Sequence, residues 1–292
     1  MNKNIKIANG QGFWGDSVDA PLDLINNADI DYLTLDYLAE VTMAIMQKQY
    51  NKNKDRGYAH DFIDFVENSA DSIINKGVKI ITNAGGVNPY KCAEEIKERT
   101  SGRIKIAVVE GDNIVEDINE FIDSGIKFDN IDNGKSIEDI RDSICSANIY
   151  IDSFVVADAL EHNPNIVLGG RITDPGLVVG PCIHEFKWDK SNYQKLAAAT
   201  VAGHILECGA QCTGGNHSRW WENDDFINIG YPIASISESG KFNVSKDINT
   251  GGLINKLTVT EQLLYEMGNP RRYLSPDVTV DFTSIELEDD KL

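Results

Sequence analysis

The sequence predicts an α/β fold: a mainly parallel, Rossmann-like, doubly wound sheet with helices on both faces over residues 1–185, then a smaller α+β portion over 186–292 packed on it. Three observations predict it. Short apolar runs alternate with amphipathic stretches of helical period through residue 185, as parallel strands joined by crossover helices do. Three strand-to-helix turns are built alike, each with glycines after the strand, then a polar capping residue, then proline. The alternation stops after Pro181, and six strand units precede it, fewer than the eight a closed barrel needs.

In order, Ile5–Ala8 is the first strand and Asp19–Asn27 a short amphipathic helix opened by Pro21. Ile30–Leu35 is the second strand, and Val41–Gln49 is helical. His60–Lys76 turns Phe62, Phe65, Val66, Ile73 and Ile74 to one face and ends at Gly77. Val78–Thr82 and Ile104–Val109 are strands, with a helix over Pro89–Thr100 between them. Helices over Asn113–Ser124 and Ser136–Cys145 flank an acidic loop, followed by a strand over Ala147–Ile151, a helix over Phe154–Glu161 and a strand over Ile166–Leu168. Beyond Pro181 the pattern gives one long helix from Trp188 to Gly209 and a hairpin of Tyr231–Ile236 with Lys241–Ser245. A helix over Leu257–Met267 and strands over Val278–Phe282 and Thr283–Leu287 follow.

Charge narrows the partners. Asp and Glu number 46 against 27 Lys and Arg, a formal net charge of −19, which argues against nucleic acid and leaves an anionic small molecule open. No apolar run is long enough to cross a bilayer, and Met1-Asn2-Lys3-Asn4 leads straight into a strand without an apolar signal region, so a cytoplasmic protein without membrane partners is expected. The five cysteines, an odd count, are expected to be reduced.

The candidate site lies where the strands end. Asn165 to Gly176 reads as strand, Gly169-Gly170 turn and helix start, with Arg171 beside the glycines as an anion clamp or as a solvated residue of a crossover. Asn83 with Gly85 and Gly86 repeats the pattern, and Gly10, Gly12 and Gly15 form a GxGxxG at the end of the first strand. That motif suits a dinucleotide only weakly, because Phe13 and Trp14 are bulky; Trp14 more simply walls a pocket, and Asp16 is either catalytic or a turn cap. Asp36 and Glu40, spaced to share one helix face, suit acid and base, ligands of a divalent metal, or helix capping. Asp174 and His204 are further proton-transfer candidates. His204, Cys208 and Cys212 make one stripe, but along an intact helix the outer two lie about 12 Å apart, too far for one zinc ion. Thr213, Gly214 and Gly215 form another polar glycine loop.

These residues also carry a resemblance. Ile7 to Gly10 with Gly12 to Asp16, Asp36 to Glu40, Thr82 to Gly86 with Asn88-Pro89, Gly170-Arg171 with Asp174, His184 to Phe186 with Trp188, and Ala202 through Gln211 to Gly215 resemble, collinearly, the AtuA family of acyclic terpene utilisation proteins. Gly230 to Ile233, Thr250 to Gly252 and Tyr273 to Val278 continue it. The resemblance implies a catabolic role on branched-chain or isoprenoid-type carboxylates or acyl-CoA thioesters, without assigning catalytic residues. Family members often run well past the length of this chain, which implies a homo-oligomer or a complex with a separate C-terminal-type subunit. Three readings follow: a hydratase, lyase or isomerase; a non-catalytic metabolite- or nucleotide-binding subunit; and a divalent-metal enzyme using Asp16, Asp36 and Glu40.

Overall fold

The computed structural model describes residues 3–289. Its main sheet is built from β1 (Asn4–Gln11), β2 (Tyr32–Leu35), β3 (Lys79–Thr82), β4 (Ile106–Val109), β5 (Ile166–Gly169), β6 (Ile233–Ser237) and β7 (Phe242–Ser245). They lie in the order β4-β5-β3-β2-β1-β6-β7. The first five are mutually parallel; β6 runs antiparallel to β1, and β7 antiparallel to β6. The carboxyl ends of the five parallel strands, and with them Gly10, Asn83 and Gly170, therefore share one edge.

Strand alternation divides the core between two faces. Leu33, Ile80 and Leu168 pack with Leu24 of α1 (Ala20–Asn27), Phe62 of α3 (His60–Lys76) and Ile96 of α4 (Pro89–Arg99). Tyr32, Ile81 and Val167 point the other way and pack with Val156 of α6 (Ser153–Leu160), Val179 of α7 (Gly176–Phe186) and Ala202 of α8 (Tyr193–Leu206). A sheet covered on both sides needs apolar residues on both faces, which is why β2 and β5 are buried at every position. The β6–β7 hairpin continues this sheet beside β1. Ala234 and Ile236 join the α8-side core together with Val259 of α9 (Lys256–Leu264) and Phe282, so both portions of the chain contribute to it.

The structure departs from the sequence pattern in four places. Residues 147–151 form no strand; their β-pairing is limited to isolated bridges, Asn113 to Asn148 and Ile151 to Ile172, because both ladders of β5 are taken by β3 and β4. Residues 113–145 hold only the short α5 (Ile118–Asp123) and a 3₁₀ turn at Ile137–Ser143. The long helix stops at Leu206, and Gly209, at φ 58°, turns the chain into a 3₁₀ segment, so Cys208 and Cys212 leave the stripe of His204. Near the end only β8 (Tyr273–Leu274) pairs with β9 (Thr279–Val280), and Asp281 caps a 3₁₀ turn where a second strand was expected. Among the described residues no helix is long and apolar enough to cross a membrane.

Candidate active site

Topology places a switch point between β3 and β5. The chain leaves β3 for α4 on one face, whereas it leaves β5 for α7 on the other. Adjacent parallel strands whose connections part to opposite faces open a gap at their carboxyl ends, where ligands bind in open α/β sheets. Asn83 follows β3 and Arg171 follows β5, so both border that gap.

Asp36 lies at its floor. It follows β2 and is buried, at 5% exposure. The helix α2 (Glu40–Lys52) begins four residues later, so Asp36 and Glu40 do not share a helix face as their spacing suggested. The intervening segment is held extended by Asn83, whose Oδ1 accepts from Tyr37 N at 2.7 Å. Asn83 Nδ2 in turn donates to Asp36 Oδ1 at 2.6 Å. Burial drives the Asp36 pKa well above the ordinary carboxyl value, and the Asp174 carboxylate adds to it; the Asn83 hydrogen bond and Arg171 oppose this without cancelling it.

Arg171 is buried too, at 6% exposure. Its guanidinium is held by Asp174 through both nitrogens, the longer bond being Nη2 to Oδ2 at 3.4 Å. Nη2 also donates to Tyr150 Oη at 3.2 Å, and the Tyr150 ring lies 4.5 Å from the guanidinium carbon. Its backbone N donates to Asp112 Oδ2 at 3.0 Å. Glu40, at the mouth, is 3.8 Å from Nη2 and accepts from Tyr150 Oη at 3.3 Å. Burial works against the Arg171 charge, but Asp174 outweighs it, so the guanidinium stays protonated.

His204 and Glu207 close the crevice from the end of α8. The His204 Nδ1 to Glu207 Oε1 distance is 2.8 Å. Burial lowers the His204 pKa and raises that of Glu207 well above its normal range, with the charge of Asp174 adding to the rise at Glu207. Burial thus favours the uncharged form of His204, Asp36 and Glu207. It raises the Asp174 pKa as well, but there the Arg171 guanidinium in contact with it opposes the rise. His204 Nε2 and Glu207 Oε2 are buried without a hydrogen-bond partner. Such orphaned atoms cost free energy and mark a place where a polar molecule belongs.

The glycines pack the strand-end turns together. A Cβ on Gly85 would lie 2.6 Å from Gly169 O, and one on Gly170 would lie 2.7 Å from both Asp112 Oδ2 and Gly86 O. Each glycine pair lets one strand-end turn press against the next, and Gly85 N donates to Gly169 O at 3.1 Å. Gly12 does the same for β1 and α8, since its Cβ would meet Cys208 C at 2.6 Å.

Other sequence candidates sit apart. Asp16 accepts from Gly12 N at 3.0 Å and Tyr231 Oη at 2.7 Å, and Trp14 Nε1 donates to Asp61 at 2.9 Å. These bonds fasten the turn after Gly10 onto the α3 side. Thr213 bonds to Gly230 O at 2.6 Å and Leu253 N at 2.7 Å, which places the Thr213, Gly214 and Gly215 loop beneath the hairpin. Asp16, Asp36 and Glu40 are thus held by separate partners, and no group of three or more His, Cys, Asp or Glu among the described residues is arranged to hold a metal ion. All five cysteines are free; burial raises the Cys92, Cys182 and Cys208 thiols and takes Cys212 up to about 12. Two open depressions, of about 330 and 310 Å³, lie elsewhere, around Asn27 to Ile30.

Sequence reasoning missed Glu207, Tyr150, Asn9 and Gln11. Glu207 had a signal, three residues after His204 and so on its side of a helix. Asn9 and Gln11 fell beyond the strand read over Ile5–Ala8, in the glycine turn, whereas β1 runs on through Gln11.

Fold and site together define a mainly parallel α/β protein with buried carboxyls, a buried histidine and a buried arginine gathered at the carboxyl edge of its sheet. Residues 5–291 match the acyclic terpene utilisation family protein AtuA, and the chain belongs to that family. No curated protein and no solved structure matches it.

Proposed function

We propose that the protein is an acid–base enzyme acting on a branched-chain or isoprenoid-type carboxylate, free or as its acyl-CoA thioester, in the crevice between β3 and β5. One observation carries this reading: Asp36, Glu207 and His204 are buried together where burial favours the uncharged form of each, and His204 Nε2 and Glu207 Oε2 are buried without a hydrogen-bond partner. A protonated carboxyl donates to a carbonyl or leaving group, and a neutral imidazole accepts or returns a proton. Asp36 is the acid in this reading. His204, with Glu207 on its other nitrogen, moves the second proton. Arg171 with Asp174 holds the local charge balance, so that an anionic substrate can share the guanidinium with Asp174. Membership of the terpene-utilisation family supports the substrate class.

The test is a binding screen of branched-chain free acids, their CoA thioesters and nucleotides by thermal shift and calorimetry. Binding of acids or thioesters by the wild type, weakened about tenfold or more in Arg171→Met, supports the reading, since a hydrogen bond to a charged group contributes about 1.5–3 kcal/mol. Selective binding of nucleotides would favour a non-catalytic nucleotide-binding subunit instead.

A further inference from the structure

We propose that Asn9 and Gln11 recognise a hydroxyl group on the substrate, so that the site takes hydroxylated branched acids or their thioesters in preference to unhydroxylated ones. This rests on the functional reading above and deepens it. Both side chains are 1% exposed. Each has one atom engaged: Asn9 Oδ1 accepts from Gln11 N at 3.0 Å, and Gln11 Nε2 donates to Phe13 O at 2.9 Å. Each also has one buried atom without a partner, a donor at Asn9 Nδ2 and an acceptor at Gln11 Oε1.

These orphans lie next to the acid–base groups. Asp36 N donates to Gln11 O at 3.0 Å, and the Gly12 turn that follows packs directly on Cys208, the residue after Glu207. The register shift between Asn9 and Gln11 opposite β2 shows where the ladder gives way to the side-chain bond. Apolar side chains here would leave nothing unsatisfied, whereas this pair leaves one donor and one acceptor. A carboxylate satisfies only the donor and an ammonium only the acceptor. A hydroxyl satisfies both, accepting from Asn9 Nδ2 and donating to Gln11 Oε1. Burial favours the uncharged forms of Asp36 and Glu207, which suits the neighbourhood to a neutral group. A site built to bond a hydroxyl discriminates against the analogue lacking it, because its own polar atoms are then left unpaired.

The experiment compares two acids that differ by one hydroxyl, 3-hydroxy-3-methylbutyrate and 3-methylbutyrate, each free and as its CoA thioester, by calorimetry on the full chain. The hydroxylated member is expected to bind roughly 10- to 100-fold more tightly. Asn9→Leu and Gln11→Met, close in volume, should each remove most of that preference and leave the affinity for 3-methylbutyrate within about twofold. Gln11→Met serves if Asn9→Leu does not fold. Equal affinity of the wild type for both acids overturns the proposal and leaves the acid–base site standing. A preference that survives in both variants also overturns it. Binding of neither acid in either form overturns this proposal together with the substrate class on which it rests.

Discussion

Replacing Arg171 by Met tests the electrostatics of the crevice most sharply. Methionine keeps much of the volume and the apolar stem against Tyr150 while deleting the charge. The guanidinium side chain is 7% exposed and that of Asp174 is 30% exposed. Removing one partner of a buried ion pair costs about 3–5 kcal/mol, and the partial exposure of Asp174 puts this case near the lower figure, about 3 kcal/mol. For a chain of this size that is a fall of roughly 6 °C in Tm, at about 2 °C per kcal/mol. The loss should depend on pH. Burial already raises the Asp174 pKa with Arg171 opposing; without Arg171 nothing in contact holds its charge, and its folded pKa rises further. The stability it contributes is then present at low pH and lost as pH rises through the folded pKa. Thermal unfolding at pH 5 and pH 8 should show the larger deficit at pH 8, and Asp174→Asn in the same chain should recover most of it. A deficit equal at both pH values and untouched by Asp174→Asn would refute the pairing.

Three further outcomes follow from the geometry. Asp36 has a raised folded pKa, so its contribution to stability is full only below the unfolded carboxyl value of about 3.9 and is lost as pH rises from there through the folded pKa; Asp36→Asn should flatten that fall in a Tm-against-pH curve, and an unchanged slope would contradict its burial as an acid. His204 has a lowered folded pKa, so stability falls as pH drops below the unfolded histidine value of about 6.5, and His204→Gln should remove that part of the acid-side loss in the same scan. Gly85→Ala puts a Cβ 2.6 Å from Gly169 O and from Pro89 Cβ, and should cost about 1–3 kcal/mol in urea unfolding; a loss below about 0.5 kcal/mol would mean that the two turns do not lock together.

What could be read from the chain was decided by how local the signal is. Ile80 to Pro89 and Ile166 to Gly176 carry strand, turn and helix start within a dozen residues, so the parallel sheet and the edge where its strand-end turns gather were visible in order. Asp36, Asn83, Arg171, Asp174 and His204 could each be named as residues at strand ends or on a helix stripe. Their pairing could not, because Asn83 lies 47 residues from Asp36 and is joined to it only by the β2–β3 ladder. The Ala147–Ile151 stretch has strand periodicity, yet β5 had no free ladder, and Tyr150 went to Arg171 instead. For the paired glycines, sequence shows the missing side chain but not what fills its place; at Gly85 and Gly170 the neighbouring strand-end turn does.

The central claim is that Asp36 and His204 move protons on a bound branched acid or thioester. The direct measurement is deuterium incorporation at the carbon next to the carbonyl, followed by mass spectrometry in D₂O, with the tightest-binding compound of the screen. The wild type should incorporate deuterium, and Asp36→Asn and His204→Gln, still folded and still binding, should each slow incorporation by about 10²-fold or more. Incorporation at the wild-type rate in both folded variants would contradict the account and move the chemistry out of the β3–β5 crevice.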